Sequence, residues 1–166
     1  MTTLQPDDSF PEGVMFSYVP PTGDLDLTVC GRPIDYNASK EFQSKKVVLV
    51  GVPGAFTPTC QEQHVTSYLA HQSELKAKGV DAIIIVASND AFVMSAWQKA
   101  NGVNDESFLF MSDDGAAFSR SIGWADGDRA GRYAVIVDHG KIRYAEADLV
   151  RGSIVNSGAE GVLANL

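Results

Sequence analysis

Between Val47 and Val52 every residue of the chain is apolar or glycine, in the order Val-Val-Leu-Val-Gly-Val. A strand with one wet face alternates polar and apolar side chains, so a run without alternation belongs to a strand covered on both faces. Asp81-Ala-Ile-Ile-Ile-Val-Ala87 is a second such run. Between them, Cys60 to Lys78 sets Val65, Tyr68, Leu69 and Leu75 at helical spacing and stops at Gly79, a residue favoured just past a helix end. Strand, crossover helix and strand of this kind pair in parallel with a right-handed connection.

The remainder extends that unit. Ala91 to Ala100 is a helix with Phe92, Ala96, Trp97 and Ala100 on one face, followed by a strand at Phe108 to Met111 and a short helix around Ala116 to Ser121. Tyr133 to Val137 and Lys141 to Ala145 are joined tightly through Asp138-His139-Gly140 and must be antiparallel. A last helix covers roughly Ser157 to Leu163. Upstream, residues 1–45 are punctuated by Pro11, Pro20, Pro21 and Pro33 around two alternating runs, Val14 to Val19 and Leu25 to Val29, and read as a hairpin-like extension packed on the core. The expectation is one α/β domain over residues 1–166, with a mixed central sheet flanked by helices and an N-terminal β-hairpin extension.

Charge narrows the function. Twenty-one acidic against 13 basic side chains leave a formal net charge of −8, and no run of Lys or Arg interrupts it, so nucleic acid and anionic lipid are poor partners. No stretch is long and apolar enough to span a membrane, and Met1 to Phe10 lacks a basic leader and an apolar core, which together read as a cytoplasmic protein. Ala164-Asn165-Leu166 has the shape of a peroxisomal address without its basic middle residue, and keeps that compartment open. The Asn37-Ala38-Ser39 acceptor is then without meaning, and Gly51-x-x-Gly54 lacks the partners of a phosphate loop. Two cysteines thirty positions apart, Cys30 and Cys60, fit neither a zinc knuckle nor a Cys-x-x-Cys pair and act as individual thiols if they act at all. No cofactor and no metal are expected.

The chemistry concentrates in Pro53-Gly54-Ala55-Phe56-Thr57-Pro58-Thr59-Cys60, which leaves the carboxyl end of the first buried strand, where open α/β sheets keep their sites. Cys60 falls in the first helical turn, where unpaired N–H groups and the helix dipole favour the thiolate, the nucleophilic form. Thr57 can turn its hydroxyl toward the sulfur and an incoming oxygen, and Pro53 can keep water from one side. Such a loop serves either a peroxide-cleaving thiolate or merely a helix cap over a buried cysteine. His64, four positions on, lines the pocket and tunes the thiolate or is a packed, hydrogen-bonded histidine. Among the arginines Arg132 is favoured to face the sulfur because it precedes a core strand, while Arg129 and Arg120 read as surface charges. Trp97, Trp124, Phe56 and Phe92 read as core or subunit contacts.

The Pro53 to Cys60 string, with His64 and with Arg132 before Tyr133-Ala-Val-Ile-Val-Asp138, closely resembles the peroxiredoxin-5-like family of atypical thiol peroxidases. The likeness runs from Asp7-Asp8-Ser9-Phe10-Pro11 through Asn89 to Trp97 and Ser121 to Ala125. Cys30 and the string Asp35 to Lys40 are most similar to its fungal members, some of them peroxisomal and some known as allergens. The resemblance implies a thioredoxin-like fold and reduction of hydrogen peroxide and alkyl hydroperoxides, with Cys60 as the peroxidatic thiol and Pro53, Thr57 and Arg132 completing its pocket. It also implies that Cys30 resolves the Cys60 sulfenic acid of a partner subunit within a homodimer built on the active-site face, thioredoxin, glutaredoxin or glutathione then restoring the thiols. Cys30 as a spectator, with the reductant resolving Cys60 directly, is the alternative. Another is a redox-sensing module that passes a disulfide to a partner protein. Gln61 stands where the family usually has Ser, and Thr66 where many relatives have Pro; neither change removes a residue the chemistry needs.

Overall fold

The Val47–Val52 run is covered on both sides, as its lack of alternation requires. In the computed structural model, which describes residues 3–166, Val47 and Leu49 pack with Phe10, Phe42 and Phe118, whereas Val48 and Val50 pack with Tyr68, Met94, Trp97 and Val162. Met1 and Thr2, at the head of the segment read for a leader, lie outside the described residues.

In chain order the elements are β1 (Met15–Tyr18), β2 (Ile34–Asn37), α1 (Ala38–Glu41), β3 (Lys46–Gly51), a π-helical segment (Thr59–Val65), α2 (Thr66–Ala70), α3 (Gln72–Ala77), β4 (Ala82–Ala87), α4 (Ala91–Ala100), β5 (Phe108–Ser112), α5 (Ala117–Ser121), β6 (Ala125–Asp126), β7 (Arg129–Ala130), β8 (Tyr133–Asp138), β9 (Lys141–Ala147) and α6 (Ala159–Leu163). Seven strands form one sheet in the order β2-β1-β5-β4-β3-β8-β9. The central β3, β4 and β5 run parallel, and the outer pairs are antiparallel. The mixed, helix-covered α/β sheet read from the sequence is thus present. The pair β6–β7, too short to show a period, was not anticipated.

The N-terminal hairpin differs from its expected form. Its first arm is β1, but the second is β2, not Leu25 to Val29. Asp24, just before that second run, and Asp26 within it capture the N–H groups of Asp26 and Thr28 at 2.9 Å each, and such local bonds compete with a ladder. Tyr18 and Tyr36 meet edge to face across the true pair, centroids 5.6 Å apart. On α4 the buried face is Ala91, Met94, Trp97 and Gln98, and Phe92 points outward. The helix starts at Ala91 as expected, under the Asp90 cap that accepts from Val93 N at 2.9 Å, and Ala91, Met94 and Gln98 complete the three- and four-residue spacing around Trp97.

The helix expected over Cys60 to Lys78 is three pieces. Its first seven residues are wound as a π-helix, and the chain kinks again at His71, whose ring Nδ1 donates to Ser67 O at 2.8 Å. Gly79 ends it in the left-handed region as expected.

One glycine fixes the geometry at the top of the sheet. Gly51 pairs across the ladder with Tyr133, whose fully buried ring lies over it, and a Cβ at Gly51 would run into that ring. The ring cannot swing away, because Tyr133 OH donates to Ser119 Oγ at 2.9 Å and that hydroxyl donates to Asp113 at 2.7 Å. Gly51→Ala is expected to cost about 3 kcal/mol or more through overpacking, read as a fall in the urea midpoint with an unchanged slope.

Candidate active site

The loop from Val52 to Pro58 is short and strained in a defined place. Phe56 lies in the left-handed region at φ 61°, a conformation a bulky side chain rarely takes, and its half-exposed ring rests near Trp97. Asn89, at the end of the neighbouring strand β4, holds the loop by accepting from Ala55 N at 2.8 Å. The turn delivers the chain into the π-helical segment with Cys60 second in it. Bonding from i to i+5 widens the helix, so His64 and Val65 come round to the same inward side as Cys60, and all three are buried.

Cys60 is 1% exposed, yet its sulfur is not in a purely apolar place. Arg132 Nη2 donates to Cys60 Sγ at 3.3 Å, and Nη1 of the same guanidinium donates to His64 Nδ1 at 3.1 Å. His64 can accept there only because its other nitrogen carries the proton: Nε2 donates to the carbonyl of Ser157 at 2.9 Å, and a carbonyl offers no hydrogen in return. His64 is thus the packed, hydrogen-bonded histidine of one sequence reading, and its ring also contacts the arginine that touches the sulfur. Arg129 and Arg120 are exposed.

Pro53, Thr57 and Arg132 line one open depression with Trp124, Asp148 and Leu149. Cys60 is not part of its wall and lies covered behind it. The sequence led us to expect the Thr57 hydroxyl to face the sulfur; instead it donates to Gly54 O at 2.7 Å, which closes the turn and leaves its lone pairs free. Cys30 sits elsewhere, exposed in the 20–33 loop, and neither cysteine is in a disulfide. Among the described residues no three His, Cys, Asp or Glu side chains cluster to hold a metal ion.

Three features escaped the sequence reading. Gln61, the departure from the family's Ser, accepts from Trp97 Nε1 at 2.6 Å and donates to Asn101 at 2.7 Å, bolting the first turn of the Cys60 helix to α4. Tyr68 OH joins His64 on the Ser157 carbonyl at 2.5 Å. Asp148 gathers the 153–157 segment around its carboxylate. Each joins residues more than thirty positions apart or a loop without periodicity; of these residues only Gln61 stood out in the sequence, for its place beside Cys60, and its partners did not.

What the cluster can do follows from its charges. A guanidinium fork on a water-poor sulfur stabilises a thiolate and any negative charge that leaves it. Burial and, to a lesser degree, the Arg132 charge push the His64 pKa down from 6.5 to about 4, opposed by the hydrogen bond to Ser157. The folded state thus holds a neutral imidazole where the unfolded chain takes up a proton. Its contribution to stability is full above pH 6.5 and is lost as pH falls toward 4, a total of about 3 kcal/mol. The urea midpoint of the wild type is expected to fall over that window, and that of His64→Gln to be flatter; equal slopes would contradict the assignment.

Comparison with known proteins gives the family. Residues 5–163 match the family model described as Redoxin. "Peroxiredoxin AHP1" of Chaetomium thermophilum is 61% identical, covering 100% of this chain and 96% of its own, and a Lipomyces kononenkoae relative named for the peroxisome is 46% identical over 96% and 99%. Among solved structures, reduced Prx3 from Vibrio vulnificus in complex with hydrogen peroxide superposes with a TM-score of 0.82 at 35% identity, covering 98% of this chain and 95% of that one. The thioredoxin-like fold implied by the sequence is therefore the observed one, and this chain belongs to the redoxin family as a peroxiredoxin, an antioxidant peroxidase that acts on peroxides with thiol reductants.

Proposed function

We propose that Cys60 is the peroxidatic thiol, attacking hydrogen peroxide and alkyl hydroperoxides, and that Arg132, Thr57 and Pro53 form its pocket. The observation that carries this reading is the contact of Arg132 Nη2 with Cys60 Sγ at 3.3 Å on a sulfur that is 1% exposed. In the reaction the thiolate bonds to one peroxide oxygen, the O–O bond breaks, and the departing oxygen leaves as alkoxide or hydroxide and takes up a proton. The guanidinium meets that departing charge, the Thr57 oxygen accepts from the peroxide O–H, and Pro53 restricts water. The product is a sulfenic acid on Cys60.

Cys30 then resolves it: its sulfur bonds to the Cys60 sulfur, water leaves, and a disulfide joins two subunits of a homodimer. Two features support a bridge between chains. Cys30 is exposed while Cys60 is covered, and the Cys30 loop is fastened away from the site, Lys99 Nζ donating to Val29 O at 2.6 Å and to Asp26 O at 3.0 Å. A dithiol of the thioredoxin type supplies the two electrons that restore both thiols; glutaredoxin and glutathione are the other candidate reductants. The protein's place of work is the cytoplasm or the peroxisome, the second being the compartment in the name of the Lipomyces kononenkoae relative.

Stopped-flow mixing of reduced protein with hydrogen peroxide tests the first step. Cys60→Ser is expected to abolish the fast reaction, and Arg132→Met to slow it by about 100- to 1,000-fold, the usual loss for one aimed donor. A Cys60→Ser protein that reacts at the parent rate would remove the proposal. For the second step, oxidised wild type is expected to run as a disulfide-linked dimer on a non-reducing gel and to turn over with thioredoxin and its reductase. Cys30→Ser should form no such dimer and lose that turnover; a monomeric oxidised wild type would refute the intersubunit bridge.

A further inference from the structure

Arg132 is held at both ends by one residue far from the nucleophile in sequence. Its carbonyl accepts from the backbone N–H of Asp148 at 2.8 Å. Its guanidinium leans on His64, His64 leans on the Ser157 carbonyl, and Ser157 is fixed by the Asp148 carboxylate. That carboxylate accepts from Ser157 N at 2.8 Å, Ser157 Oγ at 2.6 Å, Asn156 N at 3.0 Å and Ser153 Oγ at 3.0 Å. The ring of contacts runs Asp148, Ser157, His64, Arg132 and back to Asp148.

From this geometry we infer that Asp148 is a positioning residue for the peroxidase reaction, fixing the tautomer of His64 through the Ser157 carbonyl and so the aim of Arg132 at Cys60. The inference rests on the reading of Cys60 and Arg132 given above and adds to it a residue whose carboxylate bonds to Ser157, Asn156 and Ser153 and not to the sulfur.

The chemistry of each link gives it direction. Carboxylate oxygens only accept, so the four donors around Asp148 draw the 153–157 segment into one conformation. Within it the Ser157 carbonyl is left as an acceptor for two buried donors, His64 Nε2 and Tyr68 OH. With the proton held on Nε2, His64 Nδ1 presents a lone pair, and Arg132 Nη1 has a partner that fixes the plane of the fork. The other nitrogen, Nη2, is thereby aimed at sulfur. Loss of the segment's order frees His64 to turn or change tautomer, and a ring with a proton on Nδ1 would oppose the guanidinium hydrogen with its own. Burial alone would raise the Asp148 pKa, but the bonds from Ser157, Asn156 and Ser153 outweigh it and hold the group below the ordinary carboxylate value, so it is an acceptor at neutral pH.

A double-mutant cycle on the full-length reduced protein tests this, with the second-order rate for hydrogen peroxide followed across pH in stopped flow. Asp148→Asn turns one acceptor oxygen into a donor and is expected to slow the reaction about tenfold, the cost of about one well-made hydrogen bond in the transition state. The pH at which the rate reaches half its maximum should move upward. His64→Phe, which keeps a ring and removes the acceptor, should slow it at least as much, and His64→Gln should recover part of the loss. If Asp148 acts through His64, the double variant Asp148→Asn/His64→Phe is no slower than His64→Phe alone. Multiplying effects, or a wild-type rate and pH profile in Asp148→Asn, would overturn the inference. Should Asp148→Asn not fold, Ser157→Ala carries the test: it removes one of the four donors and keeps the carbonyl, and it must slow the reaction in the same sense. Arg132→Met run alongside separates the two levels. A large loss there with no effect at Asp148 or Ser157 refutes only the positioning role, and no loss there removes the peroxidase reading together with it.

Discussion

The hydrogen bond from Arg132 to Cys60 joins positions 72 residues apart, and it exists because β3 and β8 pair in one register. Gly51 stands opposite Tyr133, so continuing that register puts Arg132 beside Val52, at the start of the loop that carries Pro53 to Cys60. A slip of one residue would turn the side chains of β8 to the opposite face and carry the guanidinium away from the sulfur. The buried anchor Tyr133, over a residue without a side chain, is what excludes such a slip. Packing on one face of the sheet thus fixes an electrostatic contact made at its edge.

That contact is made in a setting where charges are costly, and the cost accounts for the neutral state of His64. A second cation beside Arg132, both withdrawn from water, would push the guanidinium off the sulfur. Burial keeps the imidazole unprotonated, and the Ser157 carbonyl decides which nitrogen holds its single hydrogen. The site therefore keeps one positive charge, held by neutral dipoles, aimed at one sulfur. On the proposed reading such an environment needs little reorganisation when negative charge passes from sulfur to the departing oxygen.

The parts legible in the sequence are those that depend on periodicity or on a compact string. Val47–Val52 and Asp81–Ala87 announced the two central strands because burial on both faces removes alternation, and Pro53 to Cys60 announced the site because every residue of it is contiguous. Arg132 was reachable through its place before a strong strand. The π-winding from Thr59 to Val65 was not, because it leaves the apolar pattern of Val65 and Tyr68 compatible with an ordinary helix. Leu25 to Val29 misled for a related reason: alternation is also what Asp-driven turns produce. Asp148 and Ser157 sit in a segment with no period at all, and their role comes only from where β9 ends and α6 begins.

The two cysteines occupy opposite environments, and α4 touches the surroundings of both. Its Trp97, with Asn101 just beyond its end, holds Gln61 next to Cys60, while its Lys99 holds the loop of Cys30 by two carbonyls. On the proposed reading a small peroxide enters by the depression beside Arg132, whereas a sulfur that is 1% exposed is closed to a thiol carried on another polypeptide. On the proposed reading the first turn of the Cys60 helix has to come out before a disulfide can form, and the Gln61 bonds are among those that must break. On that same reading Gln61 opposes the opening that resolution requires, because its bonds to Trp97 and Asn101 hold the folded first turn.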